Sequence, residues 1–172
     1  MDEGFTSYAE ALVINELARE GLLPKMEAEE NPFEGEYRAY TRLALSGKEE
    51  PLTTHADHFN TNYAYGTASY TKGAITLRQL EYVIGTDHLR RGLLRYFNEW
   101  KFRHPAPNDL FRIMERQSGL ELDWYKEDWV NTLNTVDYAV KSVKANGDDS
   151  THVIIRRKGR MAMPLDIWVT YS

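Results

Sequence analysis

Gly73-Ala74-Ile75-Thr76-Leu77-Arg78-Gln79-Leu80-Glu81-Tyr82-Val83-Ile84-Gly85 reads as an amphipathic helix. Ala74, Leu77, Leu80, Glu81 and Ile84 recur at spacings of three and four, Ile75 and Val83 widen the stripe, and Gly85 supplies the stop. The same period continues on both sides. Downstream, Thr86-Asp87 reads as the cap of a helix carrying Leu89, Leu93, Leu94 and Phe97, and Pro105 and Pro107 then interrupt the pattern. Asn108 reads as the cap of the next helix, with Leu110, Phe111, Ile113 and Met114, ended by Gly119. Trp124, Tyr125, Trp129 and Val130 suggest a last, short, aromatic one. Upstream, residues 47–65 are polar and without period, the kind of long connection that lines or covers something. Before them Tyr37, Tyr40, Leu43 and Ala44 mark a helix that stops at Ser46-Gly47. The first residues open another, with Asp2 as its cap, Glu3 in the first turn, Phe5, Tyr8 and Leu12 on one face, and an end near Gly21 and Pro24. Residues 1–133 are therefore expected to form a bundle of about six helices.

The period changes from 3.6 to 2 near Asn134. Val136, Tyr138, Val140 and Val143 alternate with polar residues, Asn146-Gly147-Asp148 reads as a turn, and Val153-Ile154-Ile155 leads to a second turn at Lys158-Gly159. Ile167, Val169 and Tyr171 predict a last strand. Two or three strands are marginal alone, so residues 134–172 read as the truncated start of a β domain, or as a small sheet borrowed by the helical part. The fold class is mainly α: a helical bundle with a short β segment after it.

Composition narrows function. With 21 basic and 26 acidic residues the net charge is −5, which argues against a nucleic-acid surface held by phosphate contacts. No apolar run reaches the length of a membrane span. There is no cysteine, so any metal must be held by histidine and carboxylate.

Two strings carry chemistry. Met1-Asp2-Glu3-Gly4-Phe5, running into a helix with Tyr8 and Glu10, and Tyr70-Thr71-Lys72-Gly73, opening the Leu-rich helix, resemble in order and separation two signatures of the aminopeptidase N family of gluzincin zinc peptidases. Thr71 stands where that family usually has Glu. The Gly92-Leu93-Leu94-Arg95-Tyr96 string and the Asp128-Trp129-Val130 end also look like the helical tail of its catalytic domain, so the resemblance covers roughly residues 1–133. It implies that Glu3 is the third zinc ligand, beside two histidines of a His-Glu-x-x-His helix, and that zinc in the parent enzyme activates a water for attack on a peptide carbonyl. It further implies that Tyr70 donates a hydrogen bond to the oxyanion, and that the substrate is the amino end of a peptide. Without the resemblance, Glu3 is a first-turn acid at a helix dipole and Tyr70 an aromatic that packs.

His55, His58, His88, His104 and His152 are followed by Ala, Phe, Leu, Pro and Val, so this chain holds no His-Glu-x-x-His string. It is expected to be a fragment, inactive alone, binding no stoichiometric zinc, with the face of the first helix around Phe5 and Tyr8 open to solvent or to self-association. A second class stays open: a non-catalytic helical domain for binding or scaffolding. His55 and His58 in the polar loop are a candidate second metal site, against which stands a solvated loop with local hydrogen bonds. Lys72 is read as exposed or paired with an acid. Trp100, Trp124 and Trp129 line a cleft or, more in keeping with their spacing, fill the core.

Overall fold

The computed structural model describes residues 2–147 and 150–170. The chain divides into two compact units, residues 1–133 and 134–172. Among the described residues no helix is long and apolar enough to cross a membrane.

The first unit is helical: α1 (Asp2–Arg19), α2 (Glu34–Leu45), α3 (Asn62–Gly66), α4 (Gly73–Ile84), α5 (Thr86–Trp100), α6 (Pro107–Ser118) and α7 (Asp123–Lys126). A π-helical stretch, Thr67–Lys72, joins α3 to α4 without a break, so residues 62–84 form one rod; a second π stretch, Glu127–Asn131, prolongs α7. The rod is central, with α1 packed along the π stretch and α4, α2 against the π stretch, and α5 between α4 and α6. Ala64, Ala68, Ala74, Ile75, Leu77 and Leu80 are buried on it.

Three boundaries differ from the sequence reading. The rod begins at Asn62, inside the stretch expected to be loop, because the Thr61 hydroxyl caps it by accepting from the Ala64 amide at 3.1 Å. Residues 62–69 are small or polar and show no apolar period, since small side chains suit a backbone that neighbours approach closely. At α5 the capping position belongs to Gly85, at φ 87°, and Thr86 is already helical. At α6 the cap is Ala106, and Asp109, not Asn108, closes the turn by accepting from the Ala106 amide at 2.8 Å, with Pro107 in the first turn where its missing N–H is harmless. The cap read for Asp2 concerns a side chain outside the described residues.

The core is aromatic at one end. Tyr125 is wholly buried, its Oη donates to the Thr76 carbonyl at 2.6 Å, and its ring stacks on Trp129 at 5.8 Å. Burial pushes the Tyr125 phenol well above its ordinary pKa, so it stays a donor. Trp129 is thus core, not cleft, and Trp100 and Trp124 are only partly covered.

At the other end the face expected to be open around Phe5 and Tyr8 is covered in part, and both residues line an apolar groove. Tyr8 is 6% exposed, stacks on Phe33 at 5.4 Å and donates from Oη to Glu81 at 2.8 Å, while Phe5 stacks on Tyr96 at 5.7 Å. The apolar residues that α1 leaves exposed lie one turn further on, Leu12 and Val13. They border an apolar groove of about 670 Å³ shared with α5.

Burial alone raises the Glu81 carboxyl pKa, but hydrogen bonds from Tyr8, Arg78 and Thr86, with the Arg78 charge, outweigh it and hold the pKa below its ordinary 4.5. A carboxylate depressed by folding contributes stability above its unfolded pKa and loses it as pH falls through the folded value. Urea unfolding followed from pH 6 to pH 3 should therefore show stability falling below about pH 4.5, with a shallower decline in Glu81→Gln. Equal slopes for the two proteins would remove Glu81 from the acid response.

In the second unit β1 (Tyr138–Ala145) and β2 (Thr151–Arg157) pair antiparallel, Tyr138 opposite Arg157 and Ala145 opposite Thr151, with one irregularity between Val140 and Ser142. The Asn146 amide donates to the Ser150 carbonyl at 2.8 Å across the turn; Asp148 of the expected turn lies outside the described residues. The strand expected around Ile167 and Val169 is absent among the described residues, and Tyr171 lies outside them. Alternation makes a strand only where a ladder receives it. Here the segment leading to it is held otherwise: the Met163 amide donates to Tyr138 Oη at 3.0 Å, and the Lys158 and Gly159 amides share the Asp137 carbonyl.

Candidate active site at the crossing of α1 and the central rod

The two strings singled out in the sequence meet through their glycines. A Cβ on Gly4 would lie 2.7 Å from Gly73 Cα and 3.2 Å from the Ser69 carbonyl oxygen, and one on Gly73 would lie 2.9 Å from Gly4 Cα. Real Cβ atoms do not approach backbone so closely, so the two helices touch backbone to backbone and only glycine fits at either position. Glu3 sits one residue before this contact on α1. Tyr70 sits three residues before it on the rod.

Around the crossing, Glu3 is half-buried, and its Oε1 accepts from Tyr65 Oη at 3.3 Å. The Tyr65 ring is met edge-on by Phe59 at 5.5 Å. Tyr70 is 48% exposed, on the π stretch against which α1 packs. A π turn carries one residue more than an α turn and is an arrangement often found at functional sites. The structure thus brings the Glu3 end of α1 and the Tyr70 segment to one place.

Behind Tyr70 lies a buried ion pair. Lys72, with a wholly buried side chain, donates from Nζ to Glu49 Oε1 at 2.7 Å; the Glu49 side chain is 5% exposed. The Thr132 carbonyl lies 3.5 Å from the same Nζ, and the Tyr40 ring centroid 5.6 Å from it. Burial, and then the Glu49 charge, push the Tyr40 phenol above its usual pKa. Glu49 comes from the polar connection after α2, which therefore does cover something. Lys72 is paired with an acid as one of the two sequence readings held, but its complete burial, Glu49 and Tyr65 were all missed. A charged residue ahead of a glycine carries no signal of burial, and neither Glu49 nor Tyr65 stands in a periodic pattern.

His55 and His58 belong to no converging group of three candidate ligands among the described residues. Their rings lie 5.4 Å apart in an exposed loop, and His55 Nδ1 accepts from the Asp57 amide. Among the described residues the group of candidate ligands that converges is Glu115, Glu121 and Asp123. It contains no histidine, and its carboxylates close the turn after α6: Glu115 accepts from the Leu122 amide, Glu121 from the Asp123 amide, and Asp123 pairs with Lys126. Glu3 fits one place in a zinc site, a carboxylate on a rigid helix start with one oxygen already steadied by a neutral donor. It fits as one ligand of a set, since a zinc site with three protein ligands needs two more.

The sequence pattern of the peptidase family M1 domain matches residues 1–129. Among curated proteins, Probable aminopeptidase 1 of Sulfurisphaera tokodaii is 29% identical over 99 residues, 57% of this chain and 12% of that protein. Aminopeptidase M1-B of Oryza sativa subsp. japonica is 25% identical over 150 residues, 87% of this chain and 16% of that protein. Probable aminopeptidase 2 of Sulfurisphaera tokodaii is 34% identical over 79 residues, 46% of this chain and 10% of that protein. The chain matches no more than about a sixth of the length of any of these three relatives. The family match covers most of the chain and includes both strings that meet at the glycine crossing: this chain belongs to the M1 peptidases, the aminopeptidase N family.

Proposed function

We propose that residues 1–133 are the helical part of the catalytic domain of a zinc-dependent aminopeptidase that removes N-terminal residues from peptides, and that residues 134–172 begin a β domain after it. In this reading Glu3 is a zinc ligand and Tyr70 the oxyanion donor. The observation that supports it most is the Gly4 to Gly73 contact, in which the helix start bearing Glu3 and the segment bearing Tyr70 cross backbone to backbone although they are far apart in sequence. Zinc, when bound, supplies a Lewis acid that activates water at neutral pH. The chain's own part is to hold and to donate: Glu3 offers an oxygen to the metal, and Tyr70 offers an O–H where negative charge develops on the scissile carbonyl oxygen. A phenol suits this second task because it donates while neutral at pH 7, and preorganised donors cost no rearrangement at the moment of reaction. Exposure of Tyr70 leaves it within a substrate's reach. The names of the relatives, aminopeptidases, support the reaction class. By itself the chain, with one carboxylate at the site, holds no stoichiometric zinc and hydrolyses no peptide.

In the longer polypeptide carrying a His-Glu-x-x-His helix ahead of residue 1, Tyr70→Phe is expected to lower kcat by ~10²–10³ with zinc content unchanged, as loss of one oxyanion donor does. Steady-state hydrolysis of an amino-acid anilide beside metal analysis checks it. A kcat within a factor of two of the wild type would return Tyr70 to packing.

A further inference from the structure

We infer that Tyr65 is a positioning residue for the Glu3 carboxylate, aiming one of its oxygens at the metal; this rests on the zinc reading above. The Tyr65 phenol donates to Glu3 Oε1 at 3.3 Å across 62 residues of sequence. A carboxylate at a helix start turns freely about its last bonds unless something holds one oxygen. With Oε1 held, the plane of the carboxylate is set and Oε2 has a fixed direction. The donor is of the right kind: a phenol steadies the carboxylate without bringing the positive charge by which a lysine or arginine would compete with a cation.

Tyr65 is itself held on two sides. Its helix is capped by Thr61, and Phe59 meets its ring edge-on at 5.5 Å. Glu3 is fixed in turn by the Gly4 to Gly73 contact, where neither backbone can shift. Donor and acceptor therefore approach from two elements that the crossing locks together. The π stretch adds a link to the reaction. Residues five apart in an α-helix point roughly 140° apart, whereas i to i+5 bonding brings them toward one side. Tyr65 and Tyr70 are five apart, Tyr65 at the end of α3 and Tyr70 within the π stretch Thr67–Lys72. One rod so carries both phenols, and Tyr65 reaches the Glu3 carboxylate.

The test is zinc affinity, by chelator competition in the full-length polypeptide, for wild type, Tyr65→Phe and Glu3→Gln, with thermal unfolding of each metal-free protein alongside. Tyr65→Phe should weaken zinc binding about 10- to 100-fold, the usual effect of losing a hydrogen bond to a ligand, while the metal-free unfolding midpoint stays that of the wild type. Glu3→Gln should weaken it further. Wild-type affinity in Tyr65→Phe with weakened binding in Glu3→Gln overturns the inference and leaves the zinc reading intact. Unchanged affinity in Glu3→Gln overturns the zinc reading and the inference with it. A fall in metal-free stability large enough to account for the lost zinc makes the phenol structural, which also overturns the inference.

Discussion

Lys72→Met is expected to destabilise the helical unit by ~3–5 kcal/mol, the cost of leaving a buried charge without its partner. Methionine matches the aliphatic stem of lysine, so the cavity is small and the loss is electrostatic. Glu49, with its side chain only 5% exposed, would be left facing a thioether, with Tyr40 close by. The double variant Lys72→Met with Glu49→Leu should recover most of the loss, because exchanging a buried pair for apolar groups of similar volume is often neutral or stabilising. Urea unfolding followed by tryptophan fluorescence measures both, since Trp129 is buried beside Tyr125. A single variant within 1 kcal/mol of wild type would mean that water reaches the pair.

Gly73→Ala is the second large effect. A methyl there would sit 2.9 Å from Gly4 Cα, and both sides of the contact are helix backbone, so relief requires α1 to move as a body. Overpacking of this kind costs ~1–3 kcal/mol. The functional loss exceeds the structural one: a shift of ~1 Å in a positioned group costs ~10²-fold in rate, and α1 carries Glu3 at the contact. Gly4→Ala should behave alike, with its methyl 2.7 Å from Gly73 Cα. Gly35→Ala is the control, since nothing lies within 4 Å of a Cβ there and α2 is helical at that position; it should be neutral or slightly stabilising. If kcat/KM of the full-length enzyme survives Gly73→Ala while Gly35→Ala is equally silent, the crossing does not set the site.

The helical unit was largely legible because its apolar residues keep the 3.6 period where they are needed. Leu110, Phe111, Ile113 and Met114 of α6 are all buried, as their spacing requires. What escaped the period was the part built on small residues. Ala64 and Ala68 are buried on the rod as completely as any leucine, yet an alanine among serines, threonines and tyrosines gives no stripe to read. Burial of Lys72 escaped for the opposite reason, since charge argues for solvent until a partner is known, and Glu49 comes from a connection with no pattern. The last strand was read from alternation, which states how a segment would pair and not whether a partner ladder is there. Glu3 and Tyr70 stood out only through their resemblance to a family; as a first-turn acid and a helical tyrosine they have no physical mark of their own. Tyr65, which touches Glu3, had no such help.

The position of α1 also fixes an order of events during synthesis. Its Tyr8 is partnered by Glu81, 73 residues further along, and its glycine by Gly73. Until the ribosome has released that far, the 18-residue helix α1 lacks the central rod on which it packs, and in proteins most helical stability comes from such packing. Phe5 and Tyr8 then still wait for Tyr96 and Glu81, the later partners they meet within this sequence. Glu3 is made among the first residues of this sequence and takes its place only once Gly73 arrives.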